Sequence, residues 1–459
     1  MQILEPKKIH LISIGGSIMH DLAINLKAIG NIVTGSDDKI YDPAKKNLKA
    51  NDILPHKIGY YKKKINKNIN YVITGMHTKK NNVELKEAKK LNIPIFSYPE
   101  FINNLSINKQ RIVIAGSHGK TTITSIIMHV LKLYNKKFDY LVGGKAHGFK
   151  RNVKLSNDPI IILEGDEYLS SPFDKKPKFL NYNHHIVLIN GIEWDHFNVF
   201  ETFKIYLEQF QKLIESTPKA GEIIYYENDK NILKILNKNK KEDVSHVPYN
   251  ELSYKIKYKK TYLEYEGKQI PIKIFGKHNM QNLAGAQKVL NKLGITNKLF
   301  FRAIKTFKLP NQRLEILYDK NNKKVFKDFA HSPSKLRSTI NAVKNQYNNK
   351  LLSIYELHSS SSLNKNFLPT YKNSIIESDF TIIYISDKII LEKKIQKIPI
   401  SDIKKYFNSY NLMVCRNQEN LLLNISKIKF KNYNFLFMSS GNFDQFSFKG
   451  LIKKISNET

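Results

Sequence analysis

The segment Gly116-Ser117-His118-Gly119-Lys120-Thr121-Thr122 has the residue types and spacing that most directly suggest chemistry. Backbone N–H groups of a glycine-containing turn that opens a helix form a cradle for phosphate. Lys120 would then reach the β/γ-phosphates, and the Thr121 hydroxyl would hold Mg²⁺. The common phosphate loop has four residues between its glycines. Here two intervene, and Ile114 stands where the first glycine would be. A glycine turn with an exposed lysine is the alternative. The strand-like run before the segment and the helical pattern after it favour ATP, with Mg²⁺, as the cofactor.

Other residues could serve the same chemistry. Glu164 ends the apolar run Ile160–Leu163, the usual place for a ligand in an open α/β sheet, although Glu164 and Glu167 could also be solvated loop acids. His196 follows Asp195 after a strand, and with 14 histidines in the chain a structural role is its rival. Asn279 and Asn282 lie three apart, on one face of a helix, and can offer amide groups to a purine and ribose. Near the start, Gly15-Gly16 follows a strand and Asp37 closes the next one, but the G-x-G-x-x-G fingerprint is broken. A βαβ unit holding some other nucleotide diphosphate fits better than NAD, and a plain tight turn is the alternative.

The elements that must position these groups alternate between strand and helix. Apolar runs at Ile9–Ile14, Asn31–Thr34, Tyr71–Thr74 and Pro94–Ser97 are separated by helical patterns, which argues for a parallel sheet of βαβ units. A second unit starts near Gln110, with strands at Arg111–Ala115, Ile160–Leu163 and Ile186–Ile189 and a helix from Thr122 to Tyr134. A third has strands at Lys324–Phe326, Leu351–Tyr355, Phe380–Ile385 and Asn434–Met438, with a helix over Ser334–Tyr347. The stretch Tyr225–Ile274 is rich in Lys, Asn and Tyr, with β-like alternation around Tyr262–Tyr265. An α/β protein of three domains follows, at 1–106, 107–308 and 309–459; 459 residues suit that count.

Composition excludes other classes. The single Cys415 rules out a disulfide scaffold or a cysteine-built metal site. No apolar run approaches the roughly 20 residues that cross a bilayer. The start has no leader-like block either, so the expectation is a cytoplasmic protein without a membrane partner. Net charge is +35, but only Arg111, Arg151, Arg302, Arg313, Arg337 and Arg416 are arginine, and the other 69 basic residues are lysines spread along the chain. A nucleic-acid binder concentrates its positive charge and uses arginine for bidentate contacts, so no nucleic-acid partner is expected. The Lys, Asn and Ile excess reads as compositional bias.

Taken in order, Ile14-Gly15-Gly16, Thr34-Gly-Ser36-Asp37, the segment 116–122, Trp194-Asp195-His196, Gly276-Lys-His-Asn279-Met-Gln-Asn282 and Asp328-Phe-Ala-His331-Ser-Pro333 form a set. Over nearly the whole chain this set resembles the Mur ligases, the ATP-dependent amide-forming enzymes of peptidoglycan synthesis. The resemblance implies an N-terminal Rossmann-like domain that binds a UDP substrate through Gly15, Gly16, Ser36, Asp37 and His77. It also implies a central P-loop ATPase domain, and a C-terminal Rossmann-like domain that closes on ATP and binds the amine. Lys120, Glu164 and His196 would be catalytic, and Thr121, Glu164 and His196 would bind Mg²⁺. Asn279 and Asn282 would contact ATP, Arg313 a phosphate, Asp328 the ribose, and His331 would lie near the γ-phosphate. Monomers or weak homodimers are expected.

Within the family two branches load UDP-N-acetylmuramate directly, one with L-alanine and one, in recycling, with the tripeptide L-Ala-γ-D-Glu-meso-diaminopimelate. Glu164-Gly-Asp-Glu-Tyr168 leading to Phe173-Asp-Lys-Lys-Pro-Lys-Phe179 resembles the recycling branch. His358-Ser-Ser-Ser-Ser-Leu363 stands where the L-alanine branch has a His-Arg-Tyr-Thr-Arg segment. Several relatives carry a carbamylated lysine after the Asp-His pair. Here Gln209 and Gln211 occupy that helix, with Lys204 and Lys212 out of step, and none is assigned.

Overall fold

Strand Lys8–Ile12 runs between strands Ile32–Ser36 and Tyr71–Thr74, and Ile95–Ser97 completes a four-stranded, all-parallel sheet. The computed structural model describes residues 6–171, 173–195, 197, 199–239, 241–428 and 433–457. The helical pattern after Gly15-Gly16 becomes helix Ser17–Ala28. The charged segment becomes helix Val83–Lys90, whose first N–H groups are capped by the Asn82 side chain.

The second sheet has seven strands, in the order Ser245–Tyr249, Glu222–Tyr226, Ile186–Ile189, Gln110–Ala115, Ile160–Glu164, Asp139–Leu141 and Val153–Lys154. Its three central strands read as unbroken apolar runs because both faces are covered. Only the last pair is antiparallel. Helix Lys120–Leu133 springs from the end of the central strand.

The C-terminal sheet has six strands, in the order Glu315–Lys320, Lys323–Asp328, Tyr433–Met438, Lys350–Glu356, Phe380–Tyr384 and Leu412–Cys415. All its pairs are parallel except the first. Helix Pro333–Gln346 covers it with Leu336, Ile340 and Val343, and Phe326, Leu351, Tyr355 and Leu436 meet them in the core. The segment around Tyr262 forms a separate antiparallel sheet, Tyr254–Lys257, Lys260–Tyr265 and Lys268–Ile272, whose buried Thr261 and Leu263 alternate with more exposed neighbours. The rest of the lysine-rich stretch supplies strands Glu222–Tyr226 and Ser245–Tyr249 and helix Lys230–Lys238, in which Ile232, Ile235 and Leu236 are the apolar stripe.

The chain divides into two compact units. One holds Met1–Ile192, Lys204–Asn250 and Asn282–Ile304, and so the first two sheets. The other holds Glu193–Phe203, Glu251–Gln281 and Lys305–Thr459. No helix among the described residues is long and apolar enough to cross a membrane.

Burial in the first unit carries a stability consequence. His184 is 1% exposed and bonds the Thr217 hydroxyl at 2.9 Å. Burial pushes its imidazole down to about 3, helped by the nearby charges of His185, Arg111 and Lys241. The folded form therefore holds His184 neutral, while the unfolded chain takes up a proton below its ordinary value near 6.5. Acidification from pH 7 to pH 5 should then remove about 2 kcal/mol of stability through this one group. Urea unfolding at the two pH values should show a smaller difference in His184→Gln than in the parent. An unchanged difference would contradict the assignment.

Candidate active site

The central strand Gln110–Ala115 ends inside the seven-stranded sheet, so the turn that follows must leave a fully buried position. Gly116 (φ 118°) and Gly119 (φ 75°) supply the left-handed backbone this requires. A Cβ on Gly119 would stand 2.1 Å from Asn282 Oδ1 and 2.4 Å from Asn190 Nδ2, so only glycine fits. Asn190 Nδ2 donates to His118 O (3.2 Å) and to Asn282 Oδ1 (2.9 Å), and the Tyr249 hydroxyl donates to Asn190 Oδ1 (2.6 Å). Asn282 is thereby held against the turn. Asn279 instead donates from Nδ2 to Phe275 O (2.9 Å), and the boundary between the two units falls between these two asparagines.

Strand register brings the acid to the turn. Ile114 pairs with Glu164 across the parallel strands, so Glu164 emerges beside the first residues of the helix. Thr121 Oγ1 donates to Glu164 Oε1 (2.8 Å) and Gly143 N donates to Oε2 (2.7 Å). Burial raises the Glu164 carboxyl, while those two donors and Lys120 oppose the shift. Among the described residues no three His, Cys, Asp or Glu side chains gather as a metal cage. A hydroxyl and a carboxylate side by side are the hard oxygen donors that suit Mg²⁺, which keeps waters and substrate phosphates as its other ligands. The residues fit that ion. His196, the third expected ligand, lies outside the described residues.

Lys120 is engaged rather than solvent-facing. Its Nζ donates to Gly116 O (2.8 Å) and to Glu167 Oε2 (2.6 Å). Burial alone would lower its pKa, but Glu167, Asp166 and Glu164 outweigh burial, and the net shift is upward, which keeps the charge. Glu167 is wholly buried, so the solvated-acid alternative fails for it. Its Oε1 accepts from the Tyr206 hydroxyl (3.3 Å), which also lies 2.7 Å from Ser117 Oγ. Glu167, Tyr206 and Asn190 are absent from the set read in the sequence. The Glu-Gly-Asp-Glu quartet hinted at the first, and nothing local marks the other two.

In the first sheet, Gly15 N donates to Asp37 Oδ2 at 2.7 Å, so the glycine turn and the acid do meet. Burial raises the Asp37 carboxyl, opposed by that N–H. Ser36 is buried, donates to Glu84 Oε1 (2.7 Å) and accepts from Lys64 Nζ (2.9 Å). Gly16 and His77 are exposed. Tyr60, whose hydroxyl reaches both Ser13 Oγ (3.3 Å) and Asp37 Oδ1 (3.4 Å), escaped the sequence reading.

In the second unit Arg313 stacks its guanidinium 4.6 Å over the Phe329 ring, and that ring lies 5.0 Å from His331. His331 Nδ1 donates to Phe329 O (2.8 Å), and its Nε2 lies 3.9 Å from Asp195 Oδ2, which Lys335 holds at 2.7 Å. Asp328 accepts from Leu314 N (2.7 Å) and Ala330 N (2.8 Å), so it shapes the loop. Trp194 and Phe197 pack on this unit's core, against Phe367.

The chain is similar to known proteins over most of its length. Residues 8–110 match the model of the "Mur ligase family, catalytic domain" and residues 114–290 that of the "Mur ligase middle domain". The UDP-N-acetylmuramate–L-alanine ligase of Clostridium acetobutylicum is 30% identical over 369 residues, covering 77% of this chain and 78% of its own. The UDP-N-acetylmuramate–L-alanyl-γ-D-glutamyl-meso-2,6-diaminoheptandioate ligase of Haemophilus influenzae is 27% identical over 361 residues, covering 74% and 77%. The crystal structure of a murein peptide ligase from Psychrobacter arcticus superposes with a TM-score of 0.67 at 21% identity, over 98% of this chain and 99% of the other. Matched along most of its length, the chain belongs to the Mur ligase family, and the protein is an ATP-dependent ligase that forms amide bonds in peptidoglycan synthesis.

Proposed function

We propose that this ligase joins UDP-N-acetylmuramate to the tripeptide L-Ala-γ-D-Glu-meso-diaminopimelate. A carboxylate and an amine do not condense in water, so ATP first converts the carboxylate to an acyl phosphate. The amine then attacks, and phosphate leaves from the tetrahedral intermediate. Lys120 neutralises charge on the transferring γ-phosphoryl group, and the turn 116–122 orients the nucleotide through its backbone N–H groups. Thr121, Glu164 and His196 would hold Mg²⁺, which when bound offsets the charge between phosphate and carboxylate. Asn279, Asn282, Arg313, Asp328 and His331 are assigned to ATP, and Gly15, Gly16, Ser36, Asp37 and His77 to the UDP moiety.

The tripeptide reading is carried by the segment after Glu164. Its Asp and Lys are built into one loop: Lys178 donates to Asp166 (2.6 Å), and Asn181 to Asp174 (3.0 Å) and Ser170 (2.7 Å). The 30% identity to an L-alanine ligase favours L-alanine as the second reading.

Phosphate release from ATP, measured with UDP-N-acetylmuramate and either amine, separates the two. Release should require the tripeptide and stay at background with L-alanine. Release with L-alanine alone would transfer the protein to the second reading.

A further inference from the structure

Two ammonium groups serve the acidic run that follows strand Ile160–Glu164. Lys120 pairs with Glu167 (2.6 Å), and Lys178 pairs with Asp166 (2.6 Å). The pairs are neighbours: Lys120 feels the charge of Asp166, and Lys178 that of Glu167. Backbone bonds fix the second pair in place. Lys178 N donates to Tyr168 O (3.0 Å) and Phe179 N to Asp166 O (3.2 Å), so the chain doubles back onto the acids. Phe179 is wholly buried against Phe210 (5.3 Å between ring centres), which anchors Lys178 from the next residue.

Lys178 is 8% exposed, and among the described residues Asp166 is the one hydrogen-bond acceptor that its Nζ meets. An ammonium carries three N–H donors, and burying it with donors unmet is costly unless a ligand brings acceptors. Its other neighbours are ring faces, with the centres of Tyr98 and Tyr168 each 5.8 Å away. Burial lowers the Lys178 pKa, but Asp166, Tyr182 and Glu167 outweigh burial, and the net shift is upward. The Asp166 side chain is 32% exposed against 10% for Lys178, so the pair opens outward at its carboxylate end.

Tyr98 shows where this cation lies. It follows Ser97, which strand register sets level with Thr74, Ile12 and Ser36 at the carboxyl ends of the first sheet. Ligands bind at such ends in open α/β sheets. Burial, joined by the charges of Asp166 and Glu164, pushes the Tyr98 hydroxyl well above its ordinary value. One residue thus touches both the ends of the first sheet and the acids of the second, and all of these groups belong to one compact unit. A substrate whose UDP moiety sits on the first sheet and whose carboxylate reaches the phosphate turn must pass this cation.

We infer that Lys178 binds the lactyl carboxylate of UDP-N-acetylmuramate, the group to be activated, through the N–H donors that Asp166 leaves open. The inference rests on the ligase reading above and holds for either amine. Acyl phosphate formation brings two anions together. A carboxylate oxygen bonds to the γ-phosphorus, the bond from that phosphorus to the β,γ-bridging oxygen breaks, and ADP leaves. Lys120 offsets the charge of the phosphoryl group and Lys178 that of the carboxylate, and both keep their protons.

UDP-N-acetylglucosamine lacks the lactyl group and so serves as the probe without a carboxylate. Calorimetry with Mg²⁺ and a non-hydrolysable ATP analogue gives the affinity of the parent and of Lys178→Met for both nucleotide sugars. The parent should prefer UDP-N-acetylmuramate by about 30-fold. Lys178→Met should lose that preference and bind UDP-N-acetylglucosamine as the parent does. Lys178→Gln, which keeps a donor towards Asp166, is read in the same way should the methionine variant not fold. A preference retained in the variant would overturn the assignment, and so would an equal loss of both sugars, which would make Lys178 a structural partner of Asp166. A parent that binds the two sugars equally would also overturn it and leave the ligase reading standing. A parent that binds neither would mean that the ligase reading itself has failed, and the inference with it.

Discussion

Lys120→Ala should turn over at least about 10³-fold more slowly than the parent while binding the UDP-sugar unchanged. The ammonium lies 2.6 Å from Glu167 Oε2, and its charge survives burial because Glu167, Asp166 and Glu164 outweigh desolvation. Lys120 donates to Gly116 O and to Glu167 Oε2, at the turn proposed to hold phosphate. On the proposed function, removing it takes away the charge assigned to the γ-phosphoryl group. It also takes the paired cation from a fully buried carboxylate, which the Tyr206 hydroxyl contacts at 3.3 Å. Breaking a buried pair on one side costs about 3–5 kcal/mol, so the variant should also melt earlier. Glu167→Gln in the Lys120→Ala background should recover part of the melting temperature and none of the turnover, because it removes the stranded charge without restoring the cation. Titration with UDP-N-acetylmuramate is the deciding measurement. Loss of that binding in Lys120→Ala would sink the assignment of the UDP site to the first sheet.

Gly119→Ala should lose ATP affinity by about 100-fold or more, through backbone and packing together. At φ 75° an L side chain costs about 1–2 kcal/mol by itself. The added Cβ would also meet Asn282 and Asn190, two buried side chains that hold each other and that Tyr249 pins from behind. They cannot yield without opening the cradle. Gly30→Ala is the matched control. Gly30 has φ 97° just past the end of helix Ser17–Ala28, and nothing lies within 4 Å of its added Cβ. It should show the backbone penalty alone, with ATP binding and turnover as in the parent. Equal ATP affinity in Gly119→Ala and Gly30→Ala would show that Asn190 and Asn282 do not shape the site.

The sequence by itself determined the features that are local. Helix starts at Asn82 and Lys120 are fixed by a capping side chain and a glycine turn within a few residues. The strands of the parallel sheets announce themselves as apolar runs because burial on both faces leaves no polar side. The place of Glu164 at a strand end was legible because its apolar run stops there, and the glycine turn before helix Lys120–Leu133 because its residues are contiguous. The antiparallel sheet at 254–272 was only half legible, since its alternation is diluted by exposed lysines and tyrosines on the solvent side.

Only the tertiary structure decided which partners those groups meet. Lys120 and Glu167 are 47 residues apart, Asn190 and Asn282 92, and Glu356 and Phe443 87. No periodicity encodes such pairings. They follow from strand order and register, such as Ile114 beside Glu164, or the late strand Tyr433–Met438 entering between Lys323–Asp328 and Lys350–Glu356. Register also settled the uses of residues whose types were already known. Asp328 is drawn onto the backbone N–H groups of Leu314 and Ala330, and Ser36 onto Glu84. A buried polar atom takes the nearest complementary group, and only the folded chain says which group that is.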